Sequence, residues 1–172
     1  EDLADALAHA EFLSWRDPLT GLFNRRKLFE ETRIERSTHP RHLMTIDLDR
    51  FKAINDSYGH EMGDRVLCAV SRIIEKFALP GVAVARVGGE EFALLAGTET
   101  LDPAIALQLL GEIAAADMPH GEAITASIGV AEARVTAGED WTALYGQADR
   151  ALYRAKNEGR NRVRDSRDTT VL

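Results

Sequence analysis

Arg86 to Leu95, RVGGEEFALL, is the stretch on which the rest of the chain hangs. Apolar and β-branched residues from Val82 to Val87 lead into it, Phe92 to Leu95 lead out, and two glycines followed by two glutamates lie between. That order predicts a β-hairpin turning at Gly88-Gly89. Glycine lets backbone approach a ligand that a Cβ would hold off, and the turn is expected to leave Glu90 and Glu91 at the tip, outside the ladder. Adjacent carboxylates repel. The pattern therefore fits either a solvated acidic turn or a site for a divalent cation with oxygen ligands, magnesium or manganese.

Outward from the hairpin, the chain has room for one domain: 172 residues, 45% apolar and 28% charged, the balance of a folded globular protein. No apolar run approaches the roughly eighteen residues that a spanning helix needs. The start, Glu1-Asp2, lacks the basic flank and apolar core of a secretory leader, so a cytoplasmic setting without membrane contact is expected. A first residue other than Met suggests a piece of something longer. The net charge of −7 argues against a general nucleic-acid binder, which would need basic patches for phosphates. The single Cys68 reads as a buried, inert thiol, and the histidines at 9, 39, 42, 60 and 120 show no zinc-ligand spacing.

Residues 1–16 read as a helix with Leu3, Ala6, Ala10 and Leu13 along one side, the expected end of a signalling helix from an upstream region; residues 17–172 form the domain proper. Pro18 stops that helix. The spacing predicts a helix from about Asn24 to Ser37 with Leu28, Phe29 and Ile34 inward, closed by Pro40, and then a central strand from His42 to Asp47. A short helix over Phe51 to Asp56 breaks at Gly59, and a long one from Glu61 to Phe77 carries Val66, Leu67, Val70, Ile73 and Ile74 on one stripe. Beyond the hairpin, a helix is expected from Pro103 to Ala116 and a strand from Ala123 to Val130. Asp140 would cap a last helix to Asn157, Gly159 would end it, and Arg162 to Arg164 would add an edge strand. This order implies an α/β sandwich: a central mixed, largely antiparallel sheet surrounded by helices.

Chemistry gathers near the predicted strand ends. Asp47 and Asp49 flank Leu48, and period-two geometry sends both carboxylates to the same side. Asp49 is expected to cap the following short helix. Asp47 is harder to explain without a partner, because a carboxylate ending an apolar strand is costly to desolvate; a hairpin beside this strand would let it share a cation with Glu90 or Glu91. Lys52, and Lys156 with Arg160 at i, i+4 on one helix face, could reach phosphate or could simply complement a helix C-terminus. Asn55 and Asp64 could match the donor and acceptor pattern of guanine, although an acid near a helix start is common for other reasons.

DPLTGLFNRR (17–26), DLDRFKAIND (47–56), GHEMGD (59–64), RVGGEEF (86–92), SIGV (127–130) and ADRALYRAKNEGRNRV (148–163) together resemble the GGDEF family of diguanylate cyclases, over nearly the whole chain. The resemblance implies a palm-like fold as in nucleotidyl cyclases and polymerases. It implies condensation of two GTP into cyclic di-GMP with release of two pyrophosphates, across a homodimer of GTP-loaded domains. It also implies that Asp47, the Leu48 carbonyl and Glu90 bind metal, with Glu90 standing where many members have Asp, and that Glu91 either binds metal or activates the attacking hydroxyl. Asn55 and Asp64 match the guanine-reading positions; Lys52, Lys156 and Arg160 match triphosphate contacts; Gly88 and Gly89 line the nucleotide. Many members also carry an Arg-x-x-Asp product-binding site a few residues ahead of the first glycine; here Leu79 and Val82 stand in its place. The alternatives are a catalytically silent module that senses GTP or cyclic di-GMP, and an enzyme of the same class that joins ATP or mixed nucleotides.

Overall fold

In β1 (Pro40–Leu48) every residue after the first is buried, charged and polar ones included, because the strand lies at the middle of the sheet with a helical layer on each side. The structure, a computed structural model, describes residues 2–34, 40–134 and 141–168. Around β1 are α1 (Leu3–Trp15), α2 (Arg25–Ile34), α3 (Phe51–Tyr58), α4 (His60–Glu75), β2 (Ala83–Arg86), β3 (Glu91–Gly97), α5 (Ala104–Ala115), β4 (Ala126–Arg134), α6 (Trp141–Asn157) and β5 (Val163–Asp165). The strand order is β2-β3-β1-β4-β5, antiparallel except for the parallel β4–β5 pair. The expected mixed, largely antiparallel sheet among helices is what forms.

Side-chain alternation assigns the two layers. Met44, Ile46 and Leu48 pack with Phe92 and Leu94 of β3 against Val66, Val70 and Ile74 of α4 and Leu109 and Ile113 of α5. Leu43 packs with Ala93 and Leu95 against Leu28 of α2 and Leu144 and Ala148 of α6. Odd-numbered β1 residues thus face α6, so Asp47 projects toward that helix. Gly129 in β4 lets α6 lie close: a Cβ there would be 2.2 Å from the Ala148 carbonyl oxygen and 2.5 Å from Leu152 N, with no flexible atom to yield. This close seat brings the end of α6 over the end of β1.

Several boundaries differ from expectation. The last long strand runs over Ala126–Arg134, not 123–130, since its apolar residues pair with the full length of β1. The long helix starts at His60 and ends at Glu75, with Phe77 in the following turn but still buried. Cys68 is half-buried, its Sγ donating to the Leu19 carbonyl at 3.4 Å. Helix α2 is capped by Asn24, whose Oδ1 accepts from Lys27 N. Residues 35–37 and Asp140, expected in helix α2 and at the cap of α6, lie outside the described residues, as does His39. α1 buries no residue, and Leu3, Leu7 and Leu13 are exposed along it. The turn that follows α1 pairs Phe23 with Ala85 and covers the edge of β2. Among the described residues no helix is long and apolar enough to cross a membrane.

Candidate active site

The β2–β3 hairpin lies beside β1, the condition under which Asp47 could share a cation with Glu90 or Glu91, but its two glutamates part company. Glu91 is the first residue of β3 and pairs with Asp47 across the ladder, correcting the expectation that both acids sit at the tip. Glu90 remains in the turn, and its carbonyl accepts from Leu48 N at 3.2 Å, tying the tip to the end of β1. Val87 N and Gly88 N both donate to the Glu91 carbonyl. Neither Gly88 nor Gly89 has the positive φ of a two-residue primed turn; what they supply is exposed backbone, and a Cβ at Gly89 would meet nothing within 4 Å.

Arg86 closes this turn. Its Nε and Nη2 donate to the Gly89 carbonyl at 3.0 and 2.9 Å, while Nη1 donates to Asp17 at 3.1 Å. Asp17 in turn accepts from Thr20 N and Oγ1. Although burial alone would raise it, hydrogen bonds from Thr20 and the charge of Arg86 hold the Asp17 carboxyl below its ordinary value. No local pattern marks Asp17 as the partner of a residue as remote as Arg86.

Asp47 is 4% exposed and meets Lys156 Nζ at 2.8 Å. Burial raises its pKa and outweighs the stabilising Lys156 ammonium; Glu90 and Asp49 push it up further. Glu91 is likewise raised, by burial and then by Asp47 and Asp149. Asp149, also raised by burial, and Tyr145, pushed up to about 12, extend the acidic cluster along α6, with Arg25 of α2 opposing. Spacing alone did not single out Asp149, Tyr145 or Arg25, which meet only because α2 and α6 share one layer.

On the other layer Lys52, Asn55 and Asp64 line a cavity of about 350 Å³ between α3, α4 and the hairpin, with Arg86, Gly89 and Glu90 along its hairpin side. Phe51 and Leu67 add apolar wall, and His60, which sequence reasoning passed over, adds a ring. Glu90 therefore borders both the cavity and the Asp47 cluster. A second cleft of about 270 Å³ lies against Arg50, Tyr58 and His120, and neither Asp47 nor Glu90 reaches it.

Two expectations fail here. Asp49 caps no helix: the residue before α3 is Arg50, with no side-chain cap. Instead Asp49 accepts from Thr125 Oγ1 and Ser127 Oγ at 2.7 Å each and from Asn161 N at 3.0 Å, latching the turn after α6 to the end of β1. Lys156 and Arg160 do not share a helix face. α6 ends at Asn157, and Gly159, Arg160 and Asn161 all take positive φ, so the chain leaves the helical path before Arg160.

The donors near Asp47 are hard oxygens, but among the described residues no three His, Cys, Asp or Glu side chains form a metal cage. Two carboxylates and a backbone carbonyl suit magnesium, which commonly takes its remaining ligands from water and substrate phosphates. A buried carboxylate with a raised pKa and a single ammonium partner is also one that a further cation would favour.

The palm-like layout of nucleotidyl cyclases, with acids at the end of a central strand and a cavity beside them, defines the class. Residues 14–162 match the family model for "Diguanylate cyclase, GGDEF domain", and the chain belongs to the GGDEF domain family. It is 42% identical over 171 residues to diguanylate cyclase DgcM of Escherichia coli, covering 94% of this chain and 40% of that protein. Against diguanylate cyclase VdcA of Vibrio cholerae it is 37% identical, covering 94% and 50%. The chain thus spans half or less of these curated relatives. Among solved structures, the coiled coil and GGDEF domain of DgcB from Caulobacter crescentus in complex with c-di-GMP superposes with a TM-score of 0.84 at 30% identity, covering 95% of this chain and 91% of that one. The active GGEEF domain of a diguanylate cyclase from Vibrio cholerae gives 0.73 at 33%, covering 85% and 98%.

Proposed function

We propose that this domain is a diguanylate cyclase that holds one GTP and joins it to a second GTP on a facing copy. The observation that carries the reading is the convergence at one sheet end of Asp47, Glu90 and Glu91 with a cavity lined by Lys52, Asn55 and Asp64. About 350 Å³ falls at the lower end of the range for small-molecule sites, and in this reading each domain holds a single GTP there. Condensation therefore needs two domains face to face, in a symmetric dimer. The Vibrio cholerae domain described as active also carries two glutamates in its signature, which supports function with Glu90 where many members have Asp.

In this reading Asn55 and Asp64 hold the guanine edge, and Lys52, Lys156 and Arg160 hold the phosphates. Asp47, the Leu48 carbonyl and Glu90 would hold magnesium or manganese, which when bound neutralises phosphate charge and stabilises the leaving pyrophosphate. Each 3′-hydroxyl oxygen forms a bond to the α-phosphorus of the facing GTP as the α–β bridging P–O bond breaks. The hydroxyl proton passes to the Glu91 carboxylate, whose burial beside Asp47 makes it a better base than an exposed glutamate. Two such transfers close the ring and release two pyrophosphates. Alignment of the facing domains by an upstream helix would control the rate, because correct positioning is worth about 7 to 11 kcal/mol of barrier.

Incubating the purified chain with labelled GTP or ATP and magnesium, then separating the products, tests this. Cyclic di-GMP from GTP alone is expected. Binding without product would favour a sensing module, and an adenine-containing product would overturn the base assignment.

A further inference from the structure

Gly63 lies buried within α4 and has no positive φ, so backbone conformation does not require glycine there, and helix propensity alone would favour alanine. Its surroundings do require it. A Cβ at Gly63 would stand 1.9 Å from Asn55 Oδ1, 3.1 Å from Asn55 Cγ and 3.2 Å from Phe51 Cζ. Exchanging the oxygen and nitrogen of the carboxamide would not relieve this, since either atom would occupy the same place.

Nor can the helices simply part. α3 and α4 meet at one residue, Gly59, whose N–H donates to the Asn55 carbonyl at 2.9 Å and whose carbonyl accepts from Gly63 N at 3.1 Å. Both backbones are thereby fixed relative to the same hinge. The movable part is the Asn55 side chain, and Asn55 lines the nucleotide cavity.

We infer that Gly63 is a specificity-positioning residue: the missing Cβ is the seat that holds the Asn55 carboxamide in place for a guanine base. This rests on the nucleotide reading above and deepens it. An alanine at 63 swings the carboxamide away from that seat, and its hydrogen bond to the base is lost while the phosphate contacts remain.

A double-mutant cycle tests the coupling. Wild type, Gly63→Ala, Asn55→Ala and the double variant are compared for binding of N-methylanthraniloyl-GTP by fluorescence, with GTP and ATP as competitors. Each single change is expected to weaken GTP by about fivefold to tenfold, the scale of one hydrogen bond, and to leave ATP unchanged. The double variant is expected to bind GTP no worse than Asn55→Ala, because the added methyl fills space the carboxamide has vacated. A purely structural role for Gly63 would instead multiply the two losses, and that result overturns the inference. Should Gly63→Ala fail to fold, the double variant decides: a folded chain that binds GTP like Asn55→Ala supports the contact, and continued misfolding refutes it. If the wild type binds no GTP, the nucleotide reading falls and takes this inference with it. If the wild type binds and the losses multiply, only the role of Gly63 falls.

Discussion

Lys156 Nζ lies 2.8 Å from Asp47 Oδ1, joining the end of α6 to the end of the central strand. Asp47 is the more buried partner, while Lys156 keeps about a third of its side chain in solvent at 32%. Removing the carboxylate charge should therefore cost the fold little, since the ammonium left behind can be hydrated. For Asp47→Asn the expected outcome is a melting temperature at neutral pH equal to or above wild type. Cyclic di-GMP formation should fall by more than about 100-fold, since losing even a residue behind a metal ligand costs up to that much and Asp47 is read as a ligand itself. Thermal melts and product assays on the same preparation check both halves, and an active Asp47→Asn enzyme would remove Asp47 from the site.

The raised carboxyls have a measurable pH signature. Asp47, Glu91 and Asp149 carry pKa values above their ordinary 3.8 or 4.5 in the folded chain. Such a group favours folding most below its unfolded value, and that contribution is lost as pH rises through the folded one. Asp17 and Asp165, held below 3.8, act oppositely: their contribution is present above 3.8 and lost as pH falls through the lowered values. Stability should thus decline from mildly acidic toward neutral pH, and Glu91→Gln should flatten that decline. Melting temperatures across this range, without added metal, decide the matter; an unchanged slope in Glu91→Gln would refute it.

Asp17 and Arg86 form a clamp on the glycine turn, because the same guanidinium bonds both the Asp17 carboxylate and the Gly89 carbonyl. Asp17→Ala removes the Nη1 anchor and leaves Arg86 held by the Gly89 carbonyl, in a turn that borders the cavity of Asn55 and Asp64. A rise in KM for GTP of about tenfold is expected, together with a stability loss of about 1.5 to 3 kcal/mol, the scale of a hydrogen bond to a charged group. Steady-state kinetics with a denaturant melt tests it, and a stability loss with unchanged KM would confine the clamp to the fold.

Asp64 is exposed on the rim of the cavity. A carboxylate there can accept from guanine N–H groups and finds no comparable ring donor on adenine. Asp64→Ser is expected to reduce the preference for GTP over ATP by about tenfold, as loss of a hydrogen bond to a charged group would. Competition binding with the two nucleotides measures this, and unchanged discrimination would exclude Asp64 as a base reader.

The turn from Leu79 to Val82 carries no charged side chain, and Leu79 is exposed. Leucine and valine offer neither the planar donor fork nor the carboxylate acceptor that would grip a guanine nucleotide. Feedback inhibition by cyclic di-GMP through this turn is therefore not expected. Strong non-competitive product inhibition that disappears when the turn is replaced would show otherwise, whereas weak competition at the cavity of Asn55 and Asp64 would not.

By itself the sequence determined the elements whose signal is local. Apolar runs and helical stripes located β1, β3, α4 and α6 to within a few residues, and Gly88-Gly89 with the two acids marked the hairpin. Asp47 and Glu90 stood out because carboxylates in or beside an apolar frame require an explanation, whereas Asn55 and Asp64 were marked as base-reading candidates by the family resemblance. Tertiary structure decided what depends on register and on remote neighbours. The ladder pairing of Glu91 with Asp47 separates two glutamates that look alike in sequence, since neighbouring residues at a strand start need not share a fate. Asp49 looked like a helix cap because its partners Thr125, Ser127 and Asn161 lie far along the chain. Arg160 left the helix face because Gly159 and two further positive-φ residues redirect the backbone. The seat of Asn55 against Gly63 exists only where two helices meet at a shared residue, and a distance of that kind is set by packing and not by composition.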